Sequence, residues 1–120
     1  GYQVGMGMMI GVKGQTTESL VEDLLLMERI QPQMIGIGPF IPHKETPFAD
    51  FQTGSVELTL FLLGIVRLLC PNVLLPATTA LGTAKEDGRE LGILAGANVC
   101  MPNLSPKEVR SKYLLYNNKL

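Results

Sequence analysis

The sequence has no tryptophan, a single histidine and only two cysteines in 120 residues, and neither sign of charge dominates it. Two thiols, Cys70 and Cys100, are too few for a disulfide framework or a four-cysteine metal site. Ten Lys+Arg against eleven Asp+Glu leave a net charge of −1. That balance supplies no basic face and argues against a nucleic-acid module. A long hydrophobic run is also missing. The greasiest stretch, Leu58 to Cys70, is broken by Thr59, Gly64 and Arg67, whereas a membrane span needs about 20 apolar residues. Gly1-Tyr2-Gln3-Val4 carries neither an initiator Met nor a basic lead into a signal core, so it reads as the interior of a longer protein. Without a secretion signal, and with two unpaired thiols, a reducing cytoplasm is the expected compartment.

What is present is apolar. Hydrophobic residues make up 46% of the chain and charged ones 18%, with a mean hydropathy of +0.22. That is too hydrophobic for a disordered tail and greasy for a free-standing domain of this size. Four short runs read as strands: Val4–Val12, Met34–Phe40, Val73–Thr79 and Ala97–Met101. Each is apolar on both faces, the pattern of a parallel strand covered on both sides. Between them, Thr17–Ile30 places Leu20, Leu24 and Met27 on one helical stripe, with Thr16 or Thr17 as cap and Glu18 at the positive end of the dipole. A second helix, Val56 to Leu69, is apolar nearly all round and is expected to be covered on both sides. A third starts at Asp87, with Glu90 at capping-box spacing, and runs to Gly96. A fourth begins at Ser105, with Pro106 at the first helical position and Glu108 at the box position.

The result is four parallel βα units, an α/β fold. Sequential right-handed crossovers allow part of a doubly wound sheet or part of a (β/α)8 barrel. Four units in 120 residues are half of a roughly 250-residue barrel, with no linker to mark a second domain. A half-barrel leaves two apolar strand edges unpaired, so the isolated chain is expected to self-associate.

In such folds ligands sit at the carboxyl ends of the strands. Gly5 to Thr16 is rich in glycine, which suits the close approach of a flat ligand or simply a tight βα turn. Gly36 to Pro47 holds three prolines and His43, either a base or metal ligand or a loop histidine bonded to backbone. Pro76 to Thr83 offers adjacent hydroxyls, Thr78 and Thr79, which could bind an anion or be plain β-branched strand residues. Asn98 to Asn103 points Met101 at the same mouth. No nucleophile elbow, zinc motif or paired CxxC is present, so no residue is assigned as catalytic or metal-ligating.

Together these loops resemble the radical S-adenosylmethionine (SAM) enzymes of the biotin-synthase-like group. Gly7-Met8-Met9-Ile10-Gly11-Val12-Lys13-Gly14 is similar to their GxIxGxxE strand, with Met9 in place of Ile and Gly14 in place of Glu. Met34–His43, Pro76–Thr83, Gly88-Arg89-Glu90 and Gly96–Asn103 resemble the hydrogenase-maturase (HydE) type within that group. The resemblance implies the C-terminal half of a (β/α)8 barrel over residues 1–120. The partner would be an N-terminal half-barrel whose CxxxCxxC loop, absent here, binds a [4Fe–4S] cluster that reduces SAM to a 5′-deoxyadenosyl radical. It implies an adenosyl site at Met9, Gly11, Met34, Gly36, Pro39 and Ile41. It also implies a substrate site at Thr78, Thr79 and Met101, closed by Tyr113 and Tyr116. The substrate would be a small molecule, an iron–cysteine complex, on the way to the hydrogenase diiron subcluster, and this chain alone would be inactive. The alternatives are a biotin synthase-like or methylornithine synthase-like enzyme, or a non-catalytic half-barrel that binds a ligand or partner.

Overall fold

A computed structural model describes residues 1–113. Its order is β1 (Gly5–Ile10), α1 (Thr17–Ile30), β2 (Met34–Pro39), α2 (Val56–Leu69), β3 (Pro76–Ala77), α3 (Thr79–Ala84), α4 (Gly88–Leu94) and β4 (Val99–Cys100), then a 3-10 turn at Lys107–Tyr113. All neighbouring strands are parallel, in the spatial order β1-β2-β3-β4. Four parallel strands alternating with helices in sequential order form an α/β architecture, the arrangement of part of a (β/α)8 barrel.

The core lies between the sheet and the helices. Ile10, Ile35, Ile37 and Leu75 are fully buried on one face of the sheet and pack with Met27 of α1 and Leu63 and Val66 of α2. Each such side chain contributes about 1.5–3 kcal/mol of burial free energy. Directly paired residues point to the same side of a sheet. The partners Gly5↔Met34, Gly7↔Gly36 and Met9↔Gly38 therefore form the other face. Among the described residues helices cover only one face, so the expected two-sided covering is not found there: Met9 is 54% exposed on the other side.

Local chemistry explains most boundaries. β1 stops where Gly11 turns to φ 90°. Thr16 caps α1: its hydroxyl accepts from the Ser19 N–H at 3.2 Å, while the Ser19 hydroxyl accepts from the Thr16 N–H at 3.0 Å. A backbone N–H, and then the Thr16 hydroxyl, hold the exposed Glu18 carboxyl below its ordinary value. A depressed carboxylate contributes stability above its unfolded-state pKa and loses it as pH falls through the folded value. Thr16→Ala should cost about 1 kcal/mol of stability and move the Glu18 titration back up, which an NMR titration of its side chain reads directly.

Several expected elements are shorter or different. β1 lacks Val4, Gly11 and Val12 of its expected span, and β2 lacks only Phe40. The third strand, expected over Val73–Thr79, is reduced to Pro76–Ala77 with a single bridge from Leu74 to Met34, because proline has no N–H for the ladder. β4 shortens to Val99–Cys100. α3 lies inside what read as a loop. The Asp87 capping box does not form: Asp87 makes no side-chain cap bond and instead pairs with Lys85 at 3.6 Å. The helix expected from Ser105 is a 3-10 turn starting at Lys107, with Arg110 donating to the Ser105 carbonyl at 2.9 Å. Finally, α2 is not covered all round. Val56, Leu62, Leu63 and Val66 are buried, but Phe61 and Leu68 are 64% and 79% exposed.

Arg67, near the end of α2, ties the layers together. Its guanidinium donates to the carbonyls of Gly96 (2.8 Å), Pro71 (2.8 Å) and Val73 (3.1 Å), at the entrances to β3 and β4. Arg67→Met retains the aliphatic packing and loses all three charge-assisted bonds. The expected cost is about 2–3 kcal/mol, less than their sum because the exposed Pro71 carbonyl regains water and the Val73 carbonyl keeps a bond from Asn98. Urea unfolding measures it.

Candidate functional site

Two segments cross at the carboxyl end of the sheet. The Phe40 N–H donates to the Ile10 carbonyl at 2.7 Å, and the Gly54 N–H donates to the Phe40 carbonyl at 2.8 Å. The residues between Phe40 and Gly54 thus form a closed excursion that returns to β1. Only glycine fits at the crossing. A Cβ on Gly54 would lie 1.9 Å from the Ile10 carbonyl oxygen, and one on Gly11 would lie 2.5 Å from the Gly54 Cα. An aromatic stack stiffens the excursion: Phe40 meets Phe48 edge-on at 6.2 Å, Phe48 meets Phe51 at 5.2 Å, and the Lys13 ammonium sits 5.1 Å from the Phe51 ring centre.

Beneath the excursion is a pocket of about 720 Å³ between the ends of β1 and β2 and the start of α3. Its lining is mostly apolar, with Gly36 and Gly38 on the sheet face away from the helices and His43, Thr46 and Phe48 from the excursion. Nothing lies within 4 Å of where a Gly36 Cβ would be, whereas a Gly38 Cβ would come 2.9 Å from the Thr78 hydroxyl. That hydroxyl is buried and has no hydrogen-bond partner. An unmet buried hydroxyl costs about 1–3 kcal/mol, which a bound acceptor would relieve.

Of the residues singled out in the sequence, Met9, Gly36, Pro39, Ile41 and Thr78 line this pocket. Gly11 stands at the crossing above it, and Met34 begins β2 at its far end. Thr79 opens α3 and is outside the lining, as is the exposed Met101 beyond β4. The Tyr113 side chain and Tyr116 lie outside the described residues. Sequence reasoning gave Thr46 no role of its own within the Gly36–Pro47 loop and did not reach Phe48. Their only signal was the Pro-bounded, phenylalanine-rich composition of the loop.

The two cysteines are far from any ligand set. Cys70 is buried, its Sγ donating to the Met27 carbonyl at 3.7 Å, and burial followed by the Glu28 charge pushes its thiol up. Cys100 is exposed on β4. Among the described residues no three His, Cys, Asp or Glu side chains come together to hold a metal. These residues do not fit an iron–sulfur cluster. Alkylation under native conditions should modify Cys100 and spare Cys70 until the chain unfolds, because the thiolate is the reactive form. Mass spectrometry of the labelled peptides checks this. Nor is any helix among the described residues long and apolar enough to cross a membrane.

No family model matches the sequence. Individual proteins do. The chain is 47% identical over 120 residues to the [FeFe] hydrogenase maturase subunit HydE of Thermotoga maritima, covering 100% of this chain and 34% of that one. It is 34% identical over 106 residues to the 3-methylornithine synthase of Methanosarcina barkeri, covering 88% and 29%. With the biotin synthase of Corynebacterium jeikeium it shares 31% over 99 residues, covering 82% and 28%. The chain is therefore homologous to HydE, 3-methylornithine synthase and biotin synthase, proteins of the biotin-synthase-like radical SAM group. Within that group it is homologous to HydE along its whole length. It spans about a third of the length of the curated relatives it matches.

Proposed function

We propose that this chain is the C-terminal half-barrel of a HydE-like radical SAM enzyme. It provides the slot for the adenosyl group of SAM and one wall of the cavity for a small-molecule substrate. The observation that carries this is the pocket itself: a glycine-floored, apolar slot at the carboxyl end of a parallel sheet, with an unsatisfied hydroxyl at its side. Gly36 and Gly38 leave room for a flat ring against the backbone, Pro39 and Ile41 supply apolar contact, and Thr78 offers a donor to an anionic group of the substrate. Met9 lines the same slot and Gly11 stands at the crossing above it, while the resemblance to HydE alone assigns Met34 to the adenosyl group and Thr79, Met101, Tyr113 and Tyr116 to the substrate. When bound with a reduced [4Fe–4S] cluster, SAM supplies a carbon-centred radical. The cluster's ligands belong to an N-terminal half that would complete the barrel along the free edges of β1 and β4. By homology to HydE the process served is assembly of the [FeFe]-hydrogenase diiron subcluster in the cytoplasm, on an iron–cysteine substrate.

Thr78→Val separates structure from function here. It removes an unpartnered buried hydroxyl, so without ligand the protein should be as stable or slightly more stable. In the full-length protein the variant should weaken binding of L-cysteine, as a carboxylate probe, about tenfold. SAM affinity should stay within about twofold, since an adenosyl group held by backbone and apolar contact does not use this hydroxyl. Calorimetric titration of both ligands reads the split. Equal loss of both, or of neither, contradicts the assignment of Thr78 to the substrate wall.

A further inference from the structure

His43 forms part of the pocket wall, and one short hydrogen bond fixes what its ring can do there. The Glu45 N–H donates to the His43 Nδ1 at 3.1 Å. A backbone amide only donates, so Nδ1 must be the unprotonated nitrogen, and the neutral ring carries its proton on Nε2. The backbone beneath the ring is pinned as well. The Thr46 N–H and the Thr46 hydroxyl both donate to the His43 carbonyl, at 3.0 and 2.8 Å, and the Phe48 N–H donates to the same hydroxyl at 3.3 Å. Phe48 is in turn held between Phe40 and Phe51. The imidazole is therefore a donor oriented by its loop, with Nε2–H free of that local bond.

Apart from the Thr78 hydroxyl, assigned above to the substrate, and the Thr46 hydroxyl, which is engaged by the His43 carbonyl, the rest of the slot supplies apolar surface and glycine backbone. A single ring N–H donor beside a flat apolar slot matches a flat heterocycle with an in-plane nitrogen lone pair. We propose that His43 is a specificity-determining donor, its Nε2–H bonding a ring nitrogen of the adenine base. This assignment rests on reading the pocket as the adenosyl slot. It gives His43 neither a proton-transfer nor a metal-binding role, since Nδ1 is engaged by backbone and no ligand set surrounds it among the described residues.

The test uses the full-length protein, titrated with 5′-deoxyadenosine and its 1-deaza, 3-deaza and 7-deaza analogues. In the wild type one analogue should bind about five- to tenfold more weakly than the parent, the loss expected for one neutral hydrogen bond. His43→Phe should weaken the parent by a similar factor and abolish discrimination against that analogue. His43→Gln, whose carboxamide keeps a terminal N–H, should restore both to within about twofold of wild type. The Glu45 N–H released by His43→Phe is solvent-exposed, so folding should be unaffected, and thermal melting verifies it. Unchanged affinity and discrimination in His43→Phe would overturn the role of His43 alone, provided that binding is blocked by Gly36→Val. Failure of the wild type to bind 5′-deoxyadenosine, or binding that survives Gly36→Val, would overturn the adenosyl slot and this inference with it.

Discussion

Gly54→Ala should cost about 3 kcal/mol, the upper end of what one added methyl does in a packed site. The reason is geometric. The new Cβ would meet the Ile10 carbonyl oxygen at 1.9 Å and the Phe40 N at 3.0 Å, both backbone atoms that cannot swing aside like a flexible side chain. Relief requires breaking the Gly54-to-Phe40 and Phe40-to-Ile10 hydrogen bonds that close the excursion. Phe48 and His43 would move with it, so ligand affinity should fall together with stability. Gly14→Ala is the control. Gly14 also has positive φ, +85°, but nothing lies within 4 Å of its Cβ position. Its penalty should be the conformational one alone, about 1 kcal/mol, with binding unchanged. Urea unfolding and 5′-deoxyadenosine titration of both variants separate crowding at the crossing from a general intolerance of alanine in this region.

Gly36→Val should have the opposite profile. A side chain there enters open space, and a β-branched residue suits a strand, so stability should change by less than about 1 kcal/mol. The same side chain occupies the floor of the pocket. Affinity for the adenosyl group should fall by at least about a hundredfold, since two methyl groups in place of a ring contact leave no room for it. Its register partner Gly7 provides the contrast. A Cβ on Gly7 would lie 2.5 Å from the Gly36 carbonyl oxygen, so Gly7→Val should disrupt the β1–β2 ladder and lose binding only through lost structure. Two glycines side by side on one face should thus differ in kind, one required by the sheet and the other by the ligand.

The parts of the fold that were legible in the sequence are those set by local chemistry. The α1 stripe, a threonine cap at 16 or 17, the apolar strands and the one-directional βα order follow from periodicity and capping alone; the structure selects Thr16. Where neighbours in space decide, sequence reasoning failed. Nothing in Thr78–Ala84 announces a helix, since its small residues and Gly82 read as a turn. Leu81, fully buried, fixes it from the core side. Asp87 carries the spacing of a capping box, but Gly88 is pressed against α3, where a Cβ would lie 2.2 Å from the Leu81 carbonyl oxygen. The chain enters α4 in a conformation that turns the Asp87 carboxylate away from the helix and toward Lys85. The same holds for the site. Thr78 was recognisable from its place at a strand end, and Gly36 and Pro39 from the family resemblance, but the need for glycine at position 54 depends on a carbonyl 44 positions earlier in the chain, that of Ile10. The His43 tautomer depends on one amide two residues on, which no composition reveals.

The central claim is that SAM binds over the ends of β1 and β2. Photolabelling of the full-length protein with an 8-azidoadenosyl analogue of SAM, followed by peptide mapping, tests it most directly. The expected result is label within residues 34–48, suppressed by excess SAM and lost in Gly36→Val. Competable label confined to α2 or α4, or undiminished by Gly36→Val, would contradict it.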